Sequence, residues 1–428
     1  MSTSPSKLRL ALFALACLAL PTAGDVFVVK PTGGIGVDAT TVQGAVDLAA
    51  DGDTVLVYNG VYDPFTVDGK ALDVIARGGN VILQFKTFGG AAVEFSEPTI
   101  VVRNLSGDQQ VLLQGFRTNF GVLVEDCAGP VWFDQLIVQG AISNAQCTTT
   151  PVHGAEVRDS QNVTFTNSQL IGEDGSSSTW NPLAAGSGAL VRGNSSARFY
   201  GCTIDGGPGS DVNWNGPAQD GGPGLHLDDG EVLIVGCTIV GGPGGLGAGP
   251  VCTGPHQLGG PGVLFDTGGG TLSSAASTAV GGFADLSSLC PGSNGPAGPA
   301  ISGSGTILPL PGFFHDVTAN NPIRGGNTLT FQVTGQPGEV PLLLLSSTHD
   351  PLDLPNLSGA LLIGLPLVDT FVLPALDASG AGSLAIAVPN VGATVGAVSY
   401  YTQSCFLDPA GPIWLGGGTT VTLLDVSL

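Results

Sequence analysis

Gly121-Val122-Leu123-Val124, Gly154-Ala155-Glu156-Val157, Gly188-Ala189-Leu190-Val191, Gly224-Leu225-His226-Leu227, Gly262-Val263-Leu264-Phe265 and Gly298-Pro299-Ala300-Ile301 are six copies of one short phrase, starting 33, 34, 36, 38 and 36 residues apart. Self-similarity at a near-constant period marks a repeat architecture. In the first five copies the positions one and three after the glycine are apolar, and the residue between them is Leu, Glu, Leu, His or Leu. That alternation is the mark of a strand with one buried face.

Each of the first four glycines is followed by a second alternating piece: Val131-Trp132-Phe133, Val163-Thr164-Phe165, Ala197-Arg198-Phe199 and Val232-Leu233-Ile234. A third follows, at Gln135-Leu136-Ile137, Gln169-Leu170-Ile171, Cys202-Thr203-Ile204 and Cys237-Thr238-Ile239. Three short strands per repeat, joined by Gly, Asn and Ser turns, predict a parallel β-helix whose coils each advance by about 4.8 Å. A bare coil needs roughly 22 residues at the usual strand and turn lengths, and the surplus falls after the third strand. Loops at about 139–153, 172–187, 205–223 and 240–261 are therefore expected on one edge of the cylinder. An open end would expose unpaired strands. Val42, Ala45, Val46 and Ala49 stand at helical spacing before Asp51-Gly52, which predicts a helix lying across the first coil.

The run Thr41-Val42-Gln43-Gly44-Ala45-Val46-Asp47, with Asp51-Gly52-Asp53-Thr54-Val55-Leu56-Val57, Gly60-Val61-Tyr62 and Val67-Asp68-Gly69-Lys70-Ala71-Leu72, resembles the N-terminal cap and first coils of pectin-lyase-like right-handed β-helix proteins of the secreted bacterial type. The resemblance covers roughly residues 25–310. It implies the right-handed fold. That scaffold hosts lyases, hydrolases, adhesins and inert surface proteins, so it implies no one activity.

Glycine and proline fill 98 of 428 positions, a share that favours strands and turns. With 43% apolar and 11% charged residues the chain is no disordered segment. Lys7 and Arg9 before the apolar run Leu10 to Leu20, then Pro21-Thr22-Ala23-Gly24, read as a signal peptide spanning 1–24. The run is too short to cross a bilayer, so secretion or display at the cell surface is expected. The formal charge is −22, and −24 once a leader with Lys7 and Arg9 is gone. Nucleic acid is thereby excluded as a partner. Seven cysteines remain, at 127, 147, 202, 237, 252, 290 and 405. Cys252 with Cys290 is a plausible staple for an exported chain, whereas Cys202 and Cys237 occupy equivalent repeat positions as a buried thiol stack.

The coil pattern thins from Pro291, which divides the mature chain into a β-helix over 25–311 and a second module over 312–428. In the latter, Leu329 to Val333, Val340 to Leu345, Ala360 to Leu365, Thr370 to Leu373, Ser383 to Val388, Ser399 to Phe406 and Thr419 to Leu424 alternate between turn signals. They predict an antiparallel β-sandwich of Ig-like size.

Two places offer chemistry. Four and five residues after the aligned glycines stand Glu125-Asp126, Arg158-Asp159, Arg192-Gly193, Asp228-Asp229 and Asp266-Thr267. As a surface ladder these offset like charges between stacked strands. The resemblance to polysaccharide lyases implies instead an Arg base with calcium-holding carboxylates, which Arg158 or Arg192 with Asp159, Asp228 and Asp229 would imitate. Paired carboxylates would alternatively serve glycoside hydrolysis. Against catalysis, Val131-Trp132-Phe133-Asp134-Gln135 is similar to a pectate-lyase motif that ends in His, and Gln135 takes that place. The negative charge also disfavours an acidic polysaccharide unless calcium bridges the two. The second place is the loop edge. Trp180-Asn181-Pro182 and Trp214-Asn215-Gly216-Pro217 recur 34 residues apart among Glu173, Asp174, Asp205, Asp211 and Asp220. Tryptophan faces suit sugar rings, and the carboxylates suit hydroxyls or Ca²⁺, with Trp180, Trp214, Asp211 and Asp220 as the binding set. Each Trp equally suits pinning its own loop to the cylinder. His153, His226 and His256 are scattered without ligand spacing, and no CxxC or HExxH pattern supports a structural zinc. The expectation is a non-catalytic, exported glycan-binding β-helix, with a polysaccharide lyase or glycoside hydrolase as the alternative.

Overall fold

A computed structural model describes residues 24–84, 98–140, 151–175, 184–210, 218–245, 258–283, 296–354, 359–392, 395–407 and 413–428. Alternating segments from Val26 to Pro309 pair in parallel, each with the segment one coil away, and wind into a right-handed parallel β-helix. The first wall stacks Phe65–Asp68, Ile100–Arg103, Val122–Glu125 and Ala155–Arg158, followed by the leading halves of Ala189–Tyr200 and Leu225–Val235, then Val263–Phe265 and Ile301–Ser302. The second wall carries Val111–Gln114, Val131–Asp134 and Val163–Thr166 in its middle coils. The third carries Ile137–Val138, Gln169–Ile171, Thr203–Asp205 and Thr238–Val240. Ile100 pairs with Val122, so one coil contains no loop and needs only 22 residues.

One repeat stands in a different register from the sequence alignment. Val263 pairs with Ile301, so Gly262 aligns with Ala300 rather than with Gly298. The slip is two residues, which leaves the inward face unchanged because side chains alternate with period two.

Stacking puts like on like. Phe133, Phe165 and Phe199 form an internal column with ring centroids 4.6 and 5.1 Å apart and planes tilted by 12° and 8°. At one corner the hydroxyl of Ser168 accepts from Leu136 N and donates to Thr166 O. Ser277 repeats this with Cys237 N and Ala275 O. Cys202 and Cys237 fill the same column between them, their thiols directed at Tyr200 O and Val235 O. They are buried free thiols, acting as serine substitutes. Cys252 and Cys290 lie outside the described residues.

The helix Val42–Leu48 covers the first coil. Thr41 caps it by accepting from Gly44 N. Gln43 pairs its amide with the backbone of Thr66, accepting at 2.7 Å and donating at 3.3 Å, and so replaces the strand missing from that edge. Lys70 Nζ donates to the carbonyls of Val46, Asp47 and Ala49 at the helix C-terminus, where a cation is favoured.

The loop edge is built on a glycine ladder. Outgoing and returning arms of successive loops alternate along it, each N–H donating to the carbonyl of the arm before. The order is Glu173 to Val152, Gly186 to Glu173, Gly207 to Gly186, Gly222 to Gly207, Gly242 to Gly222, Gly260 to Gly242, Gly282 to Gly260 and Gly298 to Gly282, all within 2.8–3.0 Å. The sequence Gly-Gly-Pro-Gly recurs at 206–209, 221–224, 241–244 and 259–262 to supply these arms. Their backbone conformations are open to any residue, since none of the ladder glycines has positive φ. Space is the constraint: a Cβ on Gly222 would overlap the carbonyl oxygen of Gly186, and one on Gly242 that of Gly207.

From Asp316 the pairing turns antiparallel. One sheet orders Asp316–Ala319, Thr328–Thr334 and Ala381–Ala387. The other joins Ile323–Arg324, Ile413–Leu424, Ala397–Leu407, Val340–Ser346 and Asp369–Val372, its first pair being parallel. Phe331 and Val333 of the first sheet share a core with Leu343, Tyr400 and Val421 of the second. A hairpin of His349–Asp353 with Ala360–Ile363 completes the module. This module is not set apart from the β-helix. Leu56, Ile75, Leu112, Trp132 and Tyr200, outward on the second wall, belong to one apolar cluster with Ala360–Ile363, Tyr401 and Leu415.

At the centre of that interface lies Asp134, fully buried. From the β-helix it accepts hydrogen bonds from Gln114 Nε2 at 2.9 Å and Thr166 Oγ1 at 2.9 Å. From the C-terminal module it accepts from Thr419 Oγ1, Thr420 N and Thr420 Oγ1 at 3.1, 3.1 and 2.9 Å. Burial pushes its carboxyl above the ordinary range, against the pull of these donors. Asp134→Ala is expected to destabilise the chain by about 3 kcal/mol, because donors on both sides are left buried and unpaired. Urea unfolding followed by near-ultraviolet circular dichroism measures this. Gly222→Ala is expected to cost about 2–3 kcal/mol through overpacking. Gly79→Ala, where a Cβ meets nothing, is expected to change stability by less than about 0.5 kcal/mol in the same measurement.

Candidate functional site

The outward column of the first wall is a set of ion pairs. Arg103 Nε meets Asp68 at 2.9 Å. Arg158 is held between Glu125 at 2.6 Å and Glu156 at 2.9 Å. Arg192 Nη2 reaches the same Glu156 oxygen at 2.5 Å. Register explains the arrangement. Arg158 stacks directly on Arg192, and Arg192 in turn on Asp228, so two like charges are neighbours at one step. Glu156, two residues before Arg158 on the same face, neutralises that step. In the sequence Glu156 stands at the variable position between apolar Ala155 and Val157, where spacing does not tie it to the charged columns.

A base must lose its proton readily. Burial would lower the Arg158 value, but the hydrogen bonds and charges of Glu156 and Glu125 outweigh it and raise the guanidinium above its ordinary value. That is the reverse of what an Arg base requires. Asp159 and Asp229 have a backbone role: both stand at positive φ, 46° and 63°, in a corner column with Asn104, Asp126 and Gly193. Asp, Asn and Gly are the residues that tolerate this left-handed turn. His226 stands one coil from Asp266, 3.3 Å from its Oδ2, without hydrogen-bond geometry at its Nε2. His153 Nδ1 accepts from Ser187 N at 3.1 Å. Burial, outweighing the attraction of Glu156, moves the His153 imidazole down to about 4, so it is neutral and structural at pH 7.

At the loop edge, Trp180, Trp214 and Asp211 lie outside the described residues. Asp220 is exposed and accepts from Leu258 N at 2.8 Å, which ties one loop to the next. Asp174 and Asp205 are both pushed up by burial. Glu173 is the residue whose role the sequence did not reveal. It occupies the first outgoing rung, where glycine stands in the later coils. Its side chain is 1% exposed, Oε2 accepting from Val152 N at 2.8 Å and Oε1 buried without a partner. It closes the ladder at its N-terminal end. Among the described residues, no three His, Cys, Asp or Glu side chains are grouped to hold a metal ion, and no helix is long and apolar enough to span a membrane.

No protein-family model and no curated protein matches the sequence. Among solved structures the chain is similar to a pectate lyase, at 11% identity and a TM-score of 0.35 over 67% of this chain and 78% of that one. It is also similar to the enzymatically active domain of tailspike protein 2 of bacteriophage CBA120, at 10% identity and a TM-score of 0.29 over 96% and 77%.

Burial moves the Glu173 carboxyl up to about 7, from an ordinary 4.5. A carboxyl raised in the folded state keeps its proton better folded than unfolded, so its contribution is present below pH 4.5 and is lost as pH rises through 7. Glu173→Gln, which keeps the shape without a titrating proton, is expected to remove about 2 kcal/mol of this pH dependence. Urea midpoints between pH 4.5 and pH 8 measure it.

Proposed function

We propose that the chain is an exported, non-catalytic β-helix that acts at or near the cell surface and binds glycans through its loop edge. The observation that carries this reading is the glycine ladder. It fixes the roots of successive loops on one edge at the spacing of the coils. The arms leading to Trp180 leave at Glu173 and return at Gly186, and those leading to Trp214 leave at Gly207 and return at Gly222. A tightly packed base, glycine at every rung from Gly186 to Gly298, is suited to presenting variable loops side by side. Loops on a rigid scaffold are a common seat of recognition.

Support against catalysis comes from the first wall. A groove that attacked a sugar chain would need one group free to take a proton or attack. Arg158 is committed to two carboxylates, and Arg192 to one of the same pair. Apolar Leu10 to Leu20 behind Lys7 and Arg9 supports export. Calcium belongs to the proposal only as a bridge between loop carboxylates such as Asp211 and Asp220 and a glycan.

Trp180→Ala with Trp214→Ala is expected to abolish retention of the protein on immobilised cell-surface polysaccharide, with and without Ca²⁺, while the urea midpoint stays unchanged. Retention equal to the parent chain refutes the loop-edge site. Release of unsaturated or reducing ends from a polysaccharide panel establishes the enzyme reading in its place.

A further inference from the structure

A cavity of about 470 Å³ opens between the outer face of the second wall and the hairpin of the C-terminal module. It lies on a different wall from the charged column. Its volume falls within the roughly 300–1,000 Å³ typical of small-ligand sites. Two rows of outward side chains, each in register from coil to coil, make its floor. One row is Ser196, Glu231 and Thr271. The other is Arg198, Leu233, Ser273 and Leu308. Three coil steps of about 4.8 Å make that floor about 14 Å long. Leu354 and Gly359 of the C-terminal module form the opposite side.

We propose that this groove binds a short, neutral oligosaccharide. The proposal rests on the glycan-binding reading above and adds a second place of contact, formed jointly by the two modules. The chemistry points to this ligand class in three ways. One row, Ser196, Glu231 and Thr271, is polar throughout, while the other alternates polar and apolar side chains from coil to coil, which suits a ligand that offers hydroxyls along one edge and C–H faces beside them. Both kinds of hydrogen-bonding partner are present, as Glu231 accepts and Arg198 donates, with the serine and threonine hydroxyls able to do either. Arg198 is 7% exposed and steadied by Asn162 at 3.4 Å, so it is set in place before a ligand arrives. A polyanion is disfavoured by Glu231 in the floor and a chain charge of −22. A quaternary ammonium ligand would want an aromatic cage, and no aromatic side chain is among the described lining.

The test uses the full mature chain in calorimetric titrations with maltotriose, cellotriose and N,N′,N″-triacetylchitotriose, and with dodecanoate as an apolar anion. At least one trisaccharide is expected to bind. Glu231→Ala, and Leu233→Trp, which fills the groove, are each expected to weaken it at least tenfold. The titrations are repeated in the Trp180→Ala, Trp214→Ala background, where the loop edge is disabled and the heat that remains belongs to the groove. Circular dichroism checks folding, and Glu231→Ala, at an exposed position, carries the test if Leu233→Trp does not fold. Binding unchanged in the groove variants overturns the proposal, as does binding of no trisaccharide or of dodecanoate alone. Binding lost only in the tryptophan variant also overturns it, while leaving the loop-edge reading intact.

Discussion

A parallel β-helix holds every residue about 4.8 Å from its copies above and below, and the rest of this molecule follows from what survives that proximity. Aromatic rings survive by stacking nearly flat, as Phe133, Phe165 and Phe199 do. Small polar groups survive by passing hydrogen bonds along a column, and Cys202 and Cys237 fit among the serines because a buried thiol is close in shape to a hydroxyl. Like charges survive only with a counter-ion on the same face, which is the place of Glu156 between Arg158 and Arg192. Where two chain arms must pass in the space of one, glycine stands at every rung from Gly186 to Gly298.

Much of the architecture was legible because stacking repeats its demands in the sequence. The apolar alternation after the first five glycines located the first wall, and the second and third pieces located the others to within a residue or two. The capping helix was legible from Val42, Ala45, Val46 and Ala49. Seven strands of the C-terminal module read from Leu329 to Leu424, although the last begins at Ile413 rather than Thr419; Asp316–Ala319, Ile323–Arg324 and His349–Asp353 are too short to carry a readable period. Two things were not legible. Glycines of the ladder look in the sequence like ordinary loop glycines, since nothing local requires them and the demand comes from an arm dozens of residues away. Trp132 and Asp134 look like surface positions, and only residues more than 200 positions later turn them into an interface, His349 and Tyr401 against Trp132 and Thr419–Thr420 against Asp134.

The candidate site shows the same division. The charged column was legible as a column, with its members placed as the spacing required. Its chemistry depended on which oxygen each guanidinium reaches, and spacing does not carry that. Asp159 and Asp229 illustrate the difference: both are acidic and both recur, yet their recurrence satisfies a left-handed backbone corner that Asn104 and Gly193 satisfy equally well.

Because the glycine rungs of the ladder are joined to one another by main-chain atoms, most of what lies beyond the root is invisible to the scaffold. Excursions there are free to lengthen, shorten or change composition over generations without shifting a coil. The closure entropy of a longer excursion grows only slowly with its length. The cylinder thus behaves as a rack of interchangeable cassettes, conservative in its spine and open to diversification along a single margin.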